Sequence, residues 1–208
     1  MKNIRKFGMV FNMNKKTLIA IAILAFLVVA FSGVSVAASE DSKTADTLIE
    51  SKSKNSVKMT VTSPGIKNGR IAPKYGMYGS VKDKNGIPRM SIPLTVKNAP
   101  KKTEYYAVYM YDNDVPWVHW LAVNYKSKTF TEDASRKKAN SMKQGKNDFR
   151  ITGYGGPTPP DKTHTYTIKV YALEKKLNLD NGFSHSQFNK AIKGKVLATS
   201  TIKGKYVK

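Results

Sequence analysis

Cysteine is absent from all 208 residues. No disulfide, thiolate nucleophile, cysteine-ligated metal or lipidated lipobox is therefore available, and the fold has to rest on buried apolar surface. Acidic residues are scarce, with 14 Asp and Glu against 36 Lys and Arg and a formal net charge of +22. Histidine occurs three times and tryptophan twice. No Gly-x-Ser-x-Gly elbow, no His-Glu-x-x-His pair and no internal repeat is present, so the usual carriers of serine-hydrolase and zinc-protease chemistry are missing. Long apolar runs are confined to one stretch near the amino terminus.

That stretch, Leu18 to Phe31, follows Lys2, Arg5, Lys6, Lys15 and Lys16 and precedes Ser32, Gly33, Val34, Ser35, Val36, Ala37 and Ala38. A basic start, an apolar centre and small residues before a cleavage point predict a secretory signal over residues 1–38, cut after Ala37 or Ala38. The run extended to Ala38 is about twenty residues long, enough to span a bilayer as an uncleaved anchor. Export leaves 31 basic against 14 acidic residues, an excess of 17. Such a charge outside the cell favours anionic membrane surfaces or wall polymers, or an acidic protein target. The lysines lack the interleaved aromatics of a single-strand-binding groove, and no nucleic acid is expected. A merely solvated basic surface fits the same composition.

Ser39 to Ser56 holds only Leu48 and Ile49 as sizeable apolar residues and reads as a flexible linker. One domain is expected over 57–208. Val57, Met59 and Val61 alternate up to Ser63-Pro64-Gly65. Further extended runs are Met77 to Val81, Tyr105 to Tyr111, Trp117 to Asn124, Thr165 to Leu173 and Val196 to Ile202. Chain reversals are expected at Lys84-Asn85-Gly86, Asn98-Ala99-Pro100 and Gly155-Gly156-Pro157. Short strands between turns predict an antiparallel sandwich or barrel. Ser184 and Gln187 fit a capping box ahead of Phe188, Ala191 and Ile192, predicting one short helix ending near Gly194. Glu132 to Lys146 reads as a polar surface loop with at most one helical turn.

Two histidines sit in strands. Period two groups Trp117, His119, Leu121 and Val123 on one face, and His164, Tyr166, Ile168 and Val170 on another, leaving Thr165, Thr167 and Lys169 wet. Both imidazoles then point toward the core near strand starts, where a pocket can open. Asp112 or Asp114 could fix one ring nitrogen and leave the other for an anion, with Gly156 adding backbone N–H groups. Either histidine alone also reads as a satisfied core histidine.

Asp112-Asn113-Asp114-Val115-Pro116 resembles the Asp-Pro-Asp-Ala-Pro signature of the phosphatidylethanolamine-binding family, which includes Raf kinase inhibitor protein. Trp117-Val118-His119-Trp120 resembles its Trp-x-His-Trp element. Gly145-Lys146-Asn147-Asp148-Phe149, Gly153-Tyr154-Gly155-Gly156-Pro157-Thr158-Pro159-Pro160 and His164-Thr165-Tyr166 are similar to blocks of its bacterial branch. Ser91-Ile92-Pro93-Leu94 and Val170-Tyr171-Ala172-Leu173 follow the same order. The resemblance spans roughly Val57 to Tyr206 and implies a mainly β fold, an antiparallel β-sandwich of that family's type with a short C-terminal helix. It further implies a pocket for phosphate-like anions or phosphorylated headgroups, lined by Asp112, His119, Gly156, Pro157, His164 and Tyr166, with Trp117 at the wall and Asp114 in support. Three departures stand out: Thr165 where the family has Arg, Pro116 running directly into Trp117, and Asn113 between the aspartates, which frees a backbone donor and is expected to loosen that turn.

The function that follows is an exported, non-enzymatic binding protein for a small anionic or phosphorylated ligand, without cofactor or resident metal. An inhibitor or modulator of another protein, such as a protease, is the alternative. A metal-dependent hydrolase built on two histidines and a carboxylate is less favoured, since no accepted reaction accompanies the resemblance.

Overall fold

The structure, a computed structural model, describes residues 58–208. The expected signal, the linker and Val57 lie outside the described residues. In order come β1 (Thr60–Thr62), β2 (Ile66–Lys67), β3 (Arg70–Ile71), β4 (Leu94–Lys97), β5 (Tyr105–Asp112), β6 (Trp117–Tyr125), β7 (Thr129–Phe130), β8 (Lys143–Gln144), β9 (His164–Leu173), α1 (His185–Ile192) and β10 (Val196–Tyr206). They make a three-stranded sheet, β1-β4-β7, and a seven-stranded sheet, β2-β3-β10-β9-β5-β6-β8. Pairing is antiparallel except between β3 and β10, which meet in parallel at Arg70 and Lys205.

Alternation explains the layers. Val61, Leu94, Val96 and Phe130 of the small sheet join Val108, Met110, Trp120, Ile168 and Val170 of the large one in a single apolar cluster. On the other face of the large sheet, Val118, Leu121 and Val123 pack against Phe188 and Ile192 of α1. Each such side chain contributes about 1.5 to 3 kcal/mol by leaving water. The predicted capping box is present: Gln187 N–H donates to Ser184 Oγ and Ser184 N–H to Gln187 Oε1.

Several local expectations are overturned. Met77 to Val81 is no strand, because a 3-10 turn at Pro73–Tyr75 is followed by a turn in which Gly79 N–H bonds to Gly76 O. Gly155-Gly156-Pro157 is not a chain reversal. It runs extended and buried, with Gly155 N–H on His119 O, Gly156 N–H on Pro88 O, and Pro157 O accepting from Met77 N–H. Glu132 to Lys146 is a surface loop only in part: Arg136, Lys137 and Lys138 are exposed and a 3-10 turn at Ala139–Ser141 supplies the expected helical turn, but other residues of the segment go inside. Ser135 and Gln144 are buried and satisfy each other, Ser135 Oγ donating to Gln144 Oε1 at 2.6 Å while Gln144 Nε2 donates to Ser135 O at 2.9 Å. Mutual hydrogen bonding lets a polar segment go inside. Of the anticipated wet face of β9, Thr167 is buried, its hydroxyl donating to Asn113 Oδ1.

The most consequential correction is a β-bulge. Tyr111 pairs with Val118 and Met110 with Trp120, so His119 is the extra residue of β6. An extra residue shifts the alternation by one. Trp117 lies at the exposed cavity end of β6, opposite Val118; beyond the bulge Trp120 and Ala122 face the main core, and Leu121 and Val123 turn to α1. Period two therefore grouped Leu121 and Val123 with the wrong neighbours.

Candidate functional site

The bulge is held by a segment some thirty residues away. With no opposite partner on β5, the His119 carbonyl accepts from Gly155 N–H at 2.9 Å and Asn147 Nδ2 at 3.2 Å. Asp148 Oδ2 accepts from Val118 N–H at 2.7 Å, and Val118 O accepts from Asp148 N–H. The side chain of His119 is thereby presented beside Asp112 and Tyr166, which face each other across β5 and β9.

Asp112, Trp117, His119 and Tyr166 line one cavity of about 320 Å³, closed by Val115, Phe149, Thr158 and Pro160. Aromatic rings form much of the wall. His119 stands edge-on to Tyr166 at 5.1 Å and to Phe149 at 5.4 Å, and Trp117 meets Phe149 edge-on at 5.4 Å. Trp117 is 37% exposed at the mouth, whereas His119 is 2% exposed.

The other anticipated residues are not on this wall. His164 lies behind Asp112, with Nδ1 2.7 Å from Asp112 Oδ2 and Nε2 2.8 Å from Asp161 Oδ1. A carboxylate at each nitrogen makes both donors, so the ring is an imidazolium with nothing left for a ligand. Burial works against its charge, yet the hydrogen bonds to Asp112 and Asp161 outweigh that and raise its pKa. Asp114 is outside, its Oδ2 accepting from Thr165 N–H and Oδ1 lying 4.0 Å from Lys162 Nζ. Gly156 cannot offer the N–H groups expected of it, since its one donor is spent on Pro88. A Cβ at Gly156 would strike the Tyr75 carbonyl, so glycine serves close packing there. Nor is the Asn113 turn loosened, because its freed N–H donates to Thr165 O at 2.9 Å.

The polar groups facing the cavity are few. His119 Nδ1 donates to Gly155 O at 2.7 Å, which assigns the neutral tautomer and leaves Nε2 as an acceptor without a partner among the described residues. Burial pushes its pKa down to about 4, against the opposing pull of the Gly155 carbonyl and Asp112. The Tyr166 hydroxyl is buried and has no hydrogen-bond partner among the described residues. Burial, then the nearby Asp112 carboxylate, drive its pKa upward, although Asp112 is not placed in bonding geometry. With Asp112 neutralised by His164 and His119 uncharged, the cavity is a largely aromatic chamber in which the Tyr166 hydroxyl is a buried donor without a partner among the described residues and His119 Nε2 is an open acceptor.

A profile described as phosphatidylethanolamine-binding protein matches residues 62–207. The chain belongs to the phosphatidylethanolamine-binding protein family. Its relatives include the uncharacterized protein YxkA of Bacillus subtilis, 34% identical over 155 residues, covering 65% of this chain and 92% of that one. YbcL of Escherichia coli is 32% identical over 155 residues, covering 68% and 84%. The crystal structure of YbcL, described as a new member of the mammalian family, superposes with a TM-score of 0.63 and covers 73% of this chain and 99% of its own. CT736 of Chlamydia trachomatis gives a TM-score of 0.62 at 30% identity, covering 73% and 98%.

Within this phosphatidylethanolamine-binding fold, Asp112, Asp114 and His164 also offer ligand atoms within 4.8 Å of one another. Those atoms are already occupied: Asp112 Oδ1 accepts from Asp114 N–H, Asp114 Oδ2 from Thr165 N–H, and both His164 nitrogens carry protons. A cation would have to displace an imidazolium proton, so the donor set does not suit a resident metal. Phe149, Thr158, Pro160 and Val115 lay within or beside quoted motifs, but which of those side chains reach His119 is decided by the bulge.

Proposed function

We propose that this chain is an exported binding protein whose His119 cavity takes a small phosphorylated headgroup that brings its own hydrogen donor. The supporting observation is the buried, unpartnered Tyr166 hydroxyl on the wall of a chamber that also carries the free Nε2 of a neutral His119. A buried hydroxyl without a partner costs about 1 to 3 kcal/mol, which a ligand oxygen accepting from it would return. A fully ionised phosphate finds no cation on the cavity wall. Phosphoethanolamine fits better, its ammonium donating to His119 Nε2 against the aromatic rings and its phosphate accepting from Tyr166. Export rests on the order of charged, apolar and small residues in the first thirty-eight positions. Amino-terminal sequencing of the protein from culture medium should then begin at Ala38 or Ser39, and recovery only in membranes with Met1 or Lys2 intact would contradict it.

The basic surface fits an anionic envelope. Among the described residues only Lys74, Arg136, Lys143 and Lys162 lie within 4 Å of a carboxylate, leaving most cations free to attract headgroups or polymers.

Calorimetry with phosphoethanolamine and with inorganic phosphate tests the cavity. Tyr166→Phe should lower phosphoethanolamine affinity about tenfold, while leaving the free domain as stable as the parent or about 1 kcal/mol more stable, because it deletes an unsatisfied buried group. Affinity within twofold of the parent would remove the cavity from consideration as the ligand site.

A further inference from the structure

A second concavity, of about 890 Å³, shares no lining residue with the His119 chamber and lies between the β2–β3 hairpin, the 3-10 turn at Pro73–Tyr75 and the end of β10. Its features are of three kinds. Lys67 and Arg70 are exposed cations with no carboxylate partner among the described residues. Tyr78 is 58% exposed, yet its ring stacks on Tyr206 at 6.1 Å and 18°. Glu132 contributes an acceptor, its Oε2 receiving Tyr75 Oη at 2.6 Å and lying 2.5 Å from Lys74 Nζ.

The floor is built rather than accidental. Tyr206, 2% exposed, donates its hydroxyl to Pro73 O at 2.7 Å and accepts from Tyr78 N–H at 3.1 Å. Gly76 lies so close that a Cβ there would enter the Tyr206 ring. Tyr78 is thus held with one face packed and the other offered to solvent. A large aromatic surface presented on a rigid support in this way is a stacking platform with nothing of this chain, among the described residues, covering it.

We propose that this groove binds an anionic glycan, with sugar rings on Tyr78, acidic groups on Lys67 and Arg70, and sugar hydroxyls donating to Glu132. The acceptor decides between polymers. A glycan offers hydroxyl donors along with negative charge, whereas a DNA backbone, all phosphate and ether oxygens, has no donor for the Glu132 oxygen that Tyr75 and Lys74 leave open. An acidic peptide satisfies the cations but has no regular ring face for the tyrosine.

The test uses the exported domain with oligogalacturonate as the anionic glycan, a neutral maltooligosaccharide, a single-stranded oligonucleotide and an oligoglutamate peptide, all titrated at physiological salt. Oligogalacturonate should bind best. Tyr78→Ala should cost about fivefold to tenfold in its affinity, Tyr78→Phe should restore it, and Arg70→Ala should cost about tenfold. Melting curves of the variants check folding, since all three substitutions are at exposed positions. Equal binding of the peptide or the oligonucleotide, or oligogalacturonate affinity that ignores Tyr78, would reduce the groove to general charge attraction and overturn the proposal.

Discussion

Replacing His164 by alanine is expected to lower the unfolding free energy by about 3 to 5 kcal/mol, the cost of stranding the buried Asp112 carboxylate without its cation. The carboxylate is 4% exposed and its Oδ2 has His164 Nδ1 at 2.7 Å. Asp161, on the far nitrogen, is exposed and adds little. His164→Gln should cost less, since an amide can still donate to Asp112. In the double variant Asp112→Asn with His164→Gln, much of the loss should return because no charge is left inside. Urea unfolding of the three variants reads these differences. If His164→Ala costs less than 1 kcal/mol, the imidazolium is not what supports Asp112. The result would also separate the two histidines: read from the sequence, both were to hold a ligand, whereas the structure gives His164 a scaffold role and only His119 access to the cavity.

Acid should weaken the fold through His119 before any carboxylate responds. Its folded pKa is depressed to about 4 by burial, below the ordinary value near 6.5 of an unfolded imidazole. The unfolded chain therefore takes up a proton between pH 6.5 and 4 that the folded chain does not. Stability is complete above 6.5 and is lost as pH falls toward 4, by about 3 kcal/mol in all. His164, shifted the opposite way, contributes stability that is complete below 6.5 and lost only as pH rises through its folded pKa. Asp161 and Glu132 are held below the ordinary carboxylate range by His164 and by Lys74 respectively, so their contributions fade only at pH near 4 and below. The window from 6.5 to 4 isolates His119. Denaturant midpoints at pH 7, 5.5 and 4.5 should decline in the parent and stay nearly level in His119→Asn, whose amide can still donate to Gly155 O. Parallel decline in both proteins would show that another group takes the proton. The same depression bears on binding: His119 stays neutral near pH 6.5, so affinity is not expected to rise merely because an ordinary histidine would titrate there.

The motifs carried most of the architecture. Tyr105 to Tyr111, Trp117 to Asn124 and Thr165 to Leu173 are strands within a residue or two of their expected ends, because β-branched and aromatic residues repeat there between turn formers. Ser184 and Gln187 fixed the start of α1 because a capping box is a local bargain between residues three apart. The buried part of Glu132 to Lys146 was missed for the opposite reason. Ser135 and Gln144 are satisfied by each other and by Trp120 Nε1, and no local pattern shows a partner 24 residues away.

Residue chemistry by itself determined that this chain has no cysteine chemistry and carries a large excess of lysine, while the quoted motifs, through their resemblance to a known family, put Asp112, Trp117, His119 and Tyr166 around one pocket. Tertiary structure decided which of them keep a hydrogen-bonding atom open to the cavity. Period-two reasoning assumes an unbroken strand, and a single bulged residue at His119 moved Leu121 and Val123 to the opposite face while the remote Asn147 and Gly155 took over the hydrogen bonds of the bulge. Hydrogen bonds are saturable, so a donor promised by sequence is available only if folding has not already spent it. Gly156 N–H and both nitrogens of His164 are spent; among the described residues the Tyr166 hydroxyl has no partner and the ring of His119 bonds only through Nδ1.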